Sequence, residues 1–171
     1  NISAEIYRQY GFTRTDFWMH SLATGIIARQ LCNDNQCCRP EIAFLAGLLH
    51  DIGKIPLDNS HTEVFSSVLE ETTCSVSAFH QAEEKLLGFT HAQSGSYFAH
   101  KWKFPECIVT SIENHHAPEK IMTHPKDNER KIQEAVYVAN LLAKTYEIGH
   151  SCDMVMQQIP QQMLMDLGIP H

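Results

Sequence analysis

Seven residues of metal-binding type recur along this chain at positions where helices would gather them: Asp16, His20, His50, Asp51, His91, His115 and His116. Imidazole mixed with carboxylate suits borderline divalent metals such as iron, manganese, zinc and cobalt, rather than calcium or magnesium alone. Five histidines and two carboxylates suffice for two ions, which would hold a phosphate at both ends and activate a water between them. Abundance points the same way, since the chain carries 11 histidines where average usage would give about four. The centre of the pattern is His50-Asp51. This pair ends the apolar run Phe44-Leu45-Ala46-Gly47-Leu48-Leu49, so imidazole and carboxylate stand side by side where water is scarce and a cation would satisfy them. Ile52-Gly53 then lets the backbone turn, which leaves Lys54 near the pair as a phosphate contact or proton donor.

Residues so far apart in sequence need elements to bring them together. A short helix over Asn1 to Tyr10 would close at Gly11. The next is expected over Thr13 to Leu31, capped by Thr15 or Asp16, with Met19, Leu22, Ala23 and Ile26 at helical spacing. Asp16 and His20, four apart, share a face of it. Cys32 to Arg39 reads as a loop, and Pro40 opens the helix that ends at His50. Pro56 to Ser60 reads as irregular and Thr62 to Glu71 as helical. Ser75 is the expected N-cap of a helix to Leu87 closed by Gly88, and Thr90 starts His91 to Trp102. Phe104-Pro105 interrupts the chain, after which Glu106 to Asn114 delivers His115 and His116 at its end. Ala117 to Asn128, with two prolines, reads as a loop long enough to be a lid. Glu129 to Tyr146 is amphipathic, with Ile132, Ala135, Val136, Ala139, Leu142 and Ala143 on one stripe. Short helices follow around Met154 and Leu164. No strand pattern has any length, so the fold class is all-α.

Taken singly, each ligand candidate has an ordinary reading. His20 alone is a hydrogen-bonded core histidine, His91 a first-turn surface residue, Asp16 an N-cap, and His115-His116 a favourable charge at a helix C-terminus. The combination is what carries weight.

The 171 residues fit one domain over 1–171, and 43% hydrophobic with 19% charged content is that of a globular protein. No apolar run reaches the roughly 18 residues a membrane span needs, and no cleavable signal opens the sequence, so a cytoplasmic location is expected. Cys32, Cys37, Cys38, Cys74, Cys107 and Cys152 show no CxxC pair or framework spacing, and reduced thiols are expected. The net charge of −7 argues against broad nucleic-acid binding. Lys101, Lys103, Lys120, Lys126 and Arg130 read as a solvated face, and the histidines at 61, 80, 100, 124, 150 and 171 as surface or loop residues.

These residues carry a resemblance. His20, then His50-Asp51 followed by Ile-Gly-Lys, is similar to the HD superfamily of metal-dependent phosphohydrolases. The stretches Glu84-Lys-Leu-Leu-Gly-Phe-Thr-His91-Ala-Gln-Ser-Gly95, Trp102-Lys-Phe-Pro105-Glu and Ser111-Ile-Glu-Asn-His115-His116 resemble the HDOD family, a bacterial signalling branch related to HD-GYP proteins. The resemblance runs from about Asp16 to Leu142. It implies an HD-domain-like helical bundle, often joined to regulatory domains and usually with more helices ahead of the first histidine than the fifteen or so residues found here. It implies that His20, His50, Asp51, His91, His115 and His116 are ligands, that Asp16 matches a carboxylate one turn before the first histidine, and that Lys54 meets the substrate phosphate.

Two departures stand out. Where the superfamily ends its site with aspartate, this chain has Asn140 in Val138-Ala139-Asn140, an amide that still binds through its carbonyl oxygen but without charge. Ala117-Pro118-Glu119-Lys120 replaces the GYP tripeptide, which speaks against cyclic di-GMP hydrolysis more than against a metal. The resemblance thus implies a phosphohydrolase or phosphodiesterase with one or two transition-metal ions, acting on a phosphorylated small molecule, a nucleotide or a cyclic (di)nucleotide. Its alternatives are a non-catalytic HDOD module with a vestigial or structural metal site that contacts a regulatory protein domain, and oxygen chemistry at a di-iron centre.

Overall fold

A computed structural model describes residues 13–35, 38–60, 62–153 and 155–169. The helix expected over Asn1 to Tyr10 lies outside them, as do His61 and His171. The described residues form helices and no strand. In order they are α1 (Arg14–Asn35), α2 (Pro40–Leu49), α3 (Lys54–Ser60), α4 (Thr62–Ser75), α5 (Phe79–Leu87), α6 (His91–Lys101), α7 (Glu106–Asn114), α8 (Pro118–Met122), α9 (Asp127–Thr145) and α10 (Gln161–Asp166). None of them is long and apolar enough to cross a membrane.

Helix α9 is the spine. Ile132, Ala135, Val136, Ala139 and Ala143 are buried as expected, but so are Gln133, Glu134, Tyr137, Val138, Asn140 and Leu141. One apolar stripe was too narrow a reading, because α1, α2, α7 and α8 all pack around this helix. Helix α1 differs more sharply. Of its apolar repeat, Met19, Leu22 and Ile26 are exposed and Ala23 alone is buried, on the side formed by Phe17, His20, Ser21, Thr24 and Ala28. Small and polar residues let α1 and α2 approach closely. A Cβ on Gly47 would lie 2.9 Å from the Gly25 Cα, and one on Gly25 would lie 2.8 Å from the Phe44 carbonyl oxygen. That crossing puts His20 opposite the end of α2.

A second cluster, Phe17, Leu57, Phe65, Val68, Leu69, Phe79, Ala82 and Cys152, joins α3, α4 and α5 to the main core. Several local expectations change here. Residues 56–60 are helical, within α3, because the turn after Asp51 feeds directly into a new helix; its backbone bonds run from Lys54 N–H to Asp51 and from Ile55 N–H to Ile52. The N-cap of α5 is Ala78 rather than Ser75, which belongs to α4. Thr13, not Thr15 or Asp16, caps α1: its hydroxyl oxygen accepts the Asp16 backbone N–H at 3.1 Å. The supposed loop from Ala117 folds in part into α8, where Pro118 occupies the first turn and Ile121 is buried. Gly88 and Thr90 act as foreseen, closing α5 with φ 74° and capping α6.

The thiols also need a correction. Cys32 and Cys38 form a disulfide, because the connection from α1 to α2 returns the chain to the last turn of α1. No framework spacing announced it.

Candidate metal centre

Each central histidine is oriented by its ring's other nitrogen. His50 is the C-cap of α2 and His115 that of α7. In both, Nδ1–H donates to the carbonyl oxygen three residues back, Gly47 at 2.7 Å and Ile112 at 2.6 Å. His91 opens α6, and its Nδ1 donates to Glu83 Oε2 at 2.5 Å. With these protons placed on Nδ1, all three Nε2 atoms present lone pairs to one spot.

At that spot lies Asp51, held at the turn between α2 and α3. Gly53 makes the turn possible, since a Cβ there would lie 2.6 Å from Ser94 Oγ and 2.7 Å from Gly95 N. Asp51 Oδ1 is 3.1 Å from His91 Nε2 and 3.4 Å from His115 Nε2, and its Oδ2 is 3.4 Å from His50 Nε2. His91 Nε2 is also 3.2 Å from His115 Nε2 and 3.0 Å from His116 Nε2. Among the described residues His80, His116 and Asp153 form one ligand group, and two more meet at the centre: Asp51 with His91, His115 and His116, and Asp51 with His20 and His50. Asp51 belongs to both.

Burial sets the protonation. It drives His20 and His115 down to about 3 and His116 well below its usual range, so these rings are neutral. For His91, burial is the largest influence and acts in the same sense, but the Glu83 charge and the hydrogen bonds to Asp51 and Glu83 together overcome it and raise the imidazole. Burial would push Asp51 up, yet the Lys54 ammonium and nearby imidazoles hold it well below the usual carboxylate range. Against burial, Asp51 likewise keeps Lys54 charged. Two groups remain unsatisfied: His50 Nε2 and Asp51 Oδ1 are sealed from water without a hydrogen-bond partner. With their protons on Nδ1, His91 and His115 face each other with Nε2 lone pairs at 3.2 Å, which repel, and a divalent cation between them converts that repulsion into coordination. The donor set therefore fits a transition metal.

The remaining site candidates fall as follows. His20 Nε2 pairs with Asn140 Oδ1 at 3.0 Å. Asp16 stands apart from both ligand groups and accepts the Thr13 hydroxyl at 2.6 Å. Lys54 is 3% exposed and donates to Asp51 Oδ2 at 2.8 Å and to the Ser151 carbonyl at 2.7 Å, so it lies beneath the site rather than open to a phosphate. Of the cations read as a solvated face, Lys126 and Arg130 pair with acids of α9. His124 contacts Lys126 and Glu129.

Several residues were missed. His80, expected on the surface, is half-buried and stacks on His116 with ring centroids 4.2 Å apart. His150 is half-buried too; its N–H donates to the Asp16 carbonyl, and it lines a cleft of about 470 Å³ with Asp16, His20, Lys144, Glu147 and Asp153. Neither sits at a recognisable helical spacing from a ligand, so no local signal marked them. Glu83 was missed for the same reason, since it lies on α5 while His91 opens the separate helix α6.

Residues 2–118 match the family model of the HDOD domain. The chain belongs to the HDOD family. Among known proteins, this HDOD chain is 22% identical over 153 residues to an uncharacterised protein of Treponema pallidum (strain Nichols), covering 88% of this chain and 28% of that one. It superposes on the crystal structure of an HDOD domain protein of unknown function from Geobacter sulfurreducens with TM-score 0.77 at 24% identity, over 97% of this chain and 56% of the other. A candidate phosphohydrolase from Shewanella amazonensis SB2B gives TM-score 0.70 at 24% identity, over 93% and 56%. The HDOD chain thus spans little more than half the length of these two solved relatives and about a quarter of the Treponema protein. The match ends at residue 118, just past His116, so Asn140 lies beyond it.

Proposed function

We propose that this HDOD domain is a metal-dependent phosphohydrolase or phosphodiesterase, with two divalent ions of the iron, manganese, zinc or cobalt type, acting on a nucleotide or a related phosphorylated small molecule. The observation that carries the reading is Asp51. Its two oxygens face different histidine groups, and Oδ1 is sealed from water with no hydrogen-bond partner. His91, His115 and His116 would hold one ion with Asp51, and His20 and His50 the other, with the Asn140 carbonyl as a neutral supplement. When bound, such ions polarise a phosphoryl oxygen and lower the pKa of water. The chain does the rest. Lys54 keeps Asp51 ionised, and the carbonyls of Gly47 and Ile112 hold the His50 and His115 rings in the tautomer that offers Nε2. The cleft beside His20 gives the substrate's non-reacting part a place to lie.

The test is elemental analysis of protein purified without chelator, followed by hydrolysis assays on nucleotides, cyclic nucleotides and cyclic dinucleotides. Two ions per chain and turnover abolished in the His50→Ala, Asp51→Ala double variant are expected. Stoichiometric metal with no hydrolysis of any of these esters would reject the enzyme.

A second reading is a regulatory HDOD module with a vestigial or structural ion, acting through a partner domain. Two contacts favour it: Asn140 is engaged with His20, and the Lys54 ammonium donates to Asp51 and Ser151 within the protein. Under it, the same double variant in the full-length protein keeps its signalling output.

A further inference from the structure

Glu83 plays no part in the ligand groups, yet it is the most completely buried carboxylate near them, 0% exposed on α5. Its Oε2 accepts two bonds from one residue, the His91 backbone N–H at 2.9 Å and the His91 ring Nδ1–H at 2.5 Å. Oε1 is sealed without a hydrogen-bond partner. The surroundings are apolar, with Phe79 and Ala82 buried on the same helix and the Phe79 ring 5.9 Å from that of His91.

The plain explanation would be helix capping, since His91 opens α6 and its N–H has no partner within the helix. Glu83 does meet that N–H, but the rest of the cap is made without it. Thr90 Oγ1 accepts the Gln93 N–H at 3.3 Å, and Gln93 Oε1 accepts the Thr90 N–H at 2.9 Å, a complete capping box. Capping by Glu83 would also not require a charge, because glutamine offers the same acceptor without burying a carboxylate whose second oxygen has no partner. A carboxylate buried at such a cost, with one oxygen on the far nitrogen of a ligand candidate, matches the carboxylate–histidine–metal arrangement.

We infer that Glu83 is the positioning residue of the metal centre: it holds His91 at both its backbone N–H and its ring, locks the ring proton on Nδ1, and makes Nε2 a stronger donor to the ion shared with Asp51. The proposal rests on the metal reading above and concerns His91 alone. It makes α5 part of the site, so a shift of α5 against α6 would change how tightly the ion is held.

Cobalt(II) titration of chelator-treated protein, followed by its visible spectrum and paired with thermal melts of the metal-free protein, tests this. Glu83→Gln should weaken cobalt binding by about 10–100-fold and alter the spectrum, while the metal-free melt stays level or rises because a buried charge is gone. In a His91→Ala background the same change should do nothing further to affinity. Glu83→Gln with unchanged affinity and spectrum, or with an equal loss in the His91→Ala background, overturns the proposal while leaving the metal reading intact. A natural chain that binds no cobalt overturns both.

Discussion

Asn140→Asp changes one charge at almost constant shape, and the structure gives its sign in two states. Asn140 is 3% exposed on α9, with Oδ1 3.0 Å from His20 Nε2. In metal-free protein the substitution buries a carboxylate beside an imidazole that burial has already driven to about 3. The new anion recovers part of its desolvation by drawing a proton onto His20, leaving a net cost of roughly 2 kcal/mol. For a chain this long each kcal/mol moves the midpoint by about 2–4 °C, so the metal-free melt should fall by about 4–8 °C. Metal acts in the opposite sense. A −1 and a +2 charge ~3 Å apart at an effective dielectric of about 20 attract by about 11 kcal/mol. Most of that is spent on desolvation, and a surplus of about 1.4–2.8 kcal/mol tightens binding 10–100-fold. Melts in EDTA and in saturating manganese, with a calorimetric titration, should therefore show the variant less stable than the natural chain without metal and within about 1 kcal/mol of it with metal. A variant that melts lower in both states, with unchanged affinity, would place Asn140 outside the coordination sphere and refute the reasoning.

Other substitutions probe the supports of the site. Lys54→Met keeps the apolar stem beside Phe79 but leaves the Asp51 carboxylate without its cation; urea unfolding of metal-free protein should show a loss of about 3–5 kcal/mol, partly restored by a divalent ion. Gly53→Ala pushes a methyl group into the His91 carbonyl and Ser94, and should cost about 3 kcal/mol or more and abolish metal binding, checked by denaturation and metal content. Glu134, buried on α9 between Arg130 and Asp166, is raised by burial from 4.5 to about 7. A raised folded value means its contribution to stability is complete below about pH 4.5 and is lost as pH climbs through 7. Glu134→Gln should thus stabilise the chain at pH 8 relative to its effect at pH 5, by on the order of 2 kcal/mol in urea titrations; an equal effect at both pH values would contradict the shift.

What the sequence made legible was mainly periodic or punctuated. The all-α class, the extent of α7 and the end of α2 at the His50-Asp51 corner followed from apolar runs bounded by proline, and the start of α6 from its cap at Thr90. Of the expected ligands, His20, His50, Asp51, His91, His115 and His116 do converge, because each histidine sits at a helix end or on a buried face, whereas Asp16 stays apart with Thr13. What stayed hidden depended on contacts between elements. Which side of α1 is buried could not be read from its apolar repeat, since the packing against α2 is decided by Gly25 and Gly47, which have no side chain to advertise it. His80 and His150 looked like surface residues because nothing local tells a stacked or cleft-lining ring from a solvated one. Cys32 and Cys38 became partners only when the chain returned to α1.

The same logic separates the two ion groups. Asp51, His91, His115 and His116 form a set whose rings are each fixed by burial or a dedicated acceptor, and whose Nε2 atoms have no partner but one another and Asp51. His20 has Asn140 to bond with, so an ion there must displace a satisfied hydrogen bond and receives a neutral amide in place of an anion. Filling the His91 group first and the His20 group second follows from that difference in cost. On this argument the second occupancy, and with it any hydrolysis that needs two ions, is governed by the one position where the chain has exchanged a charge for an amide.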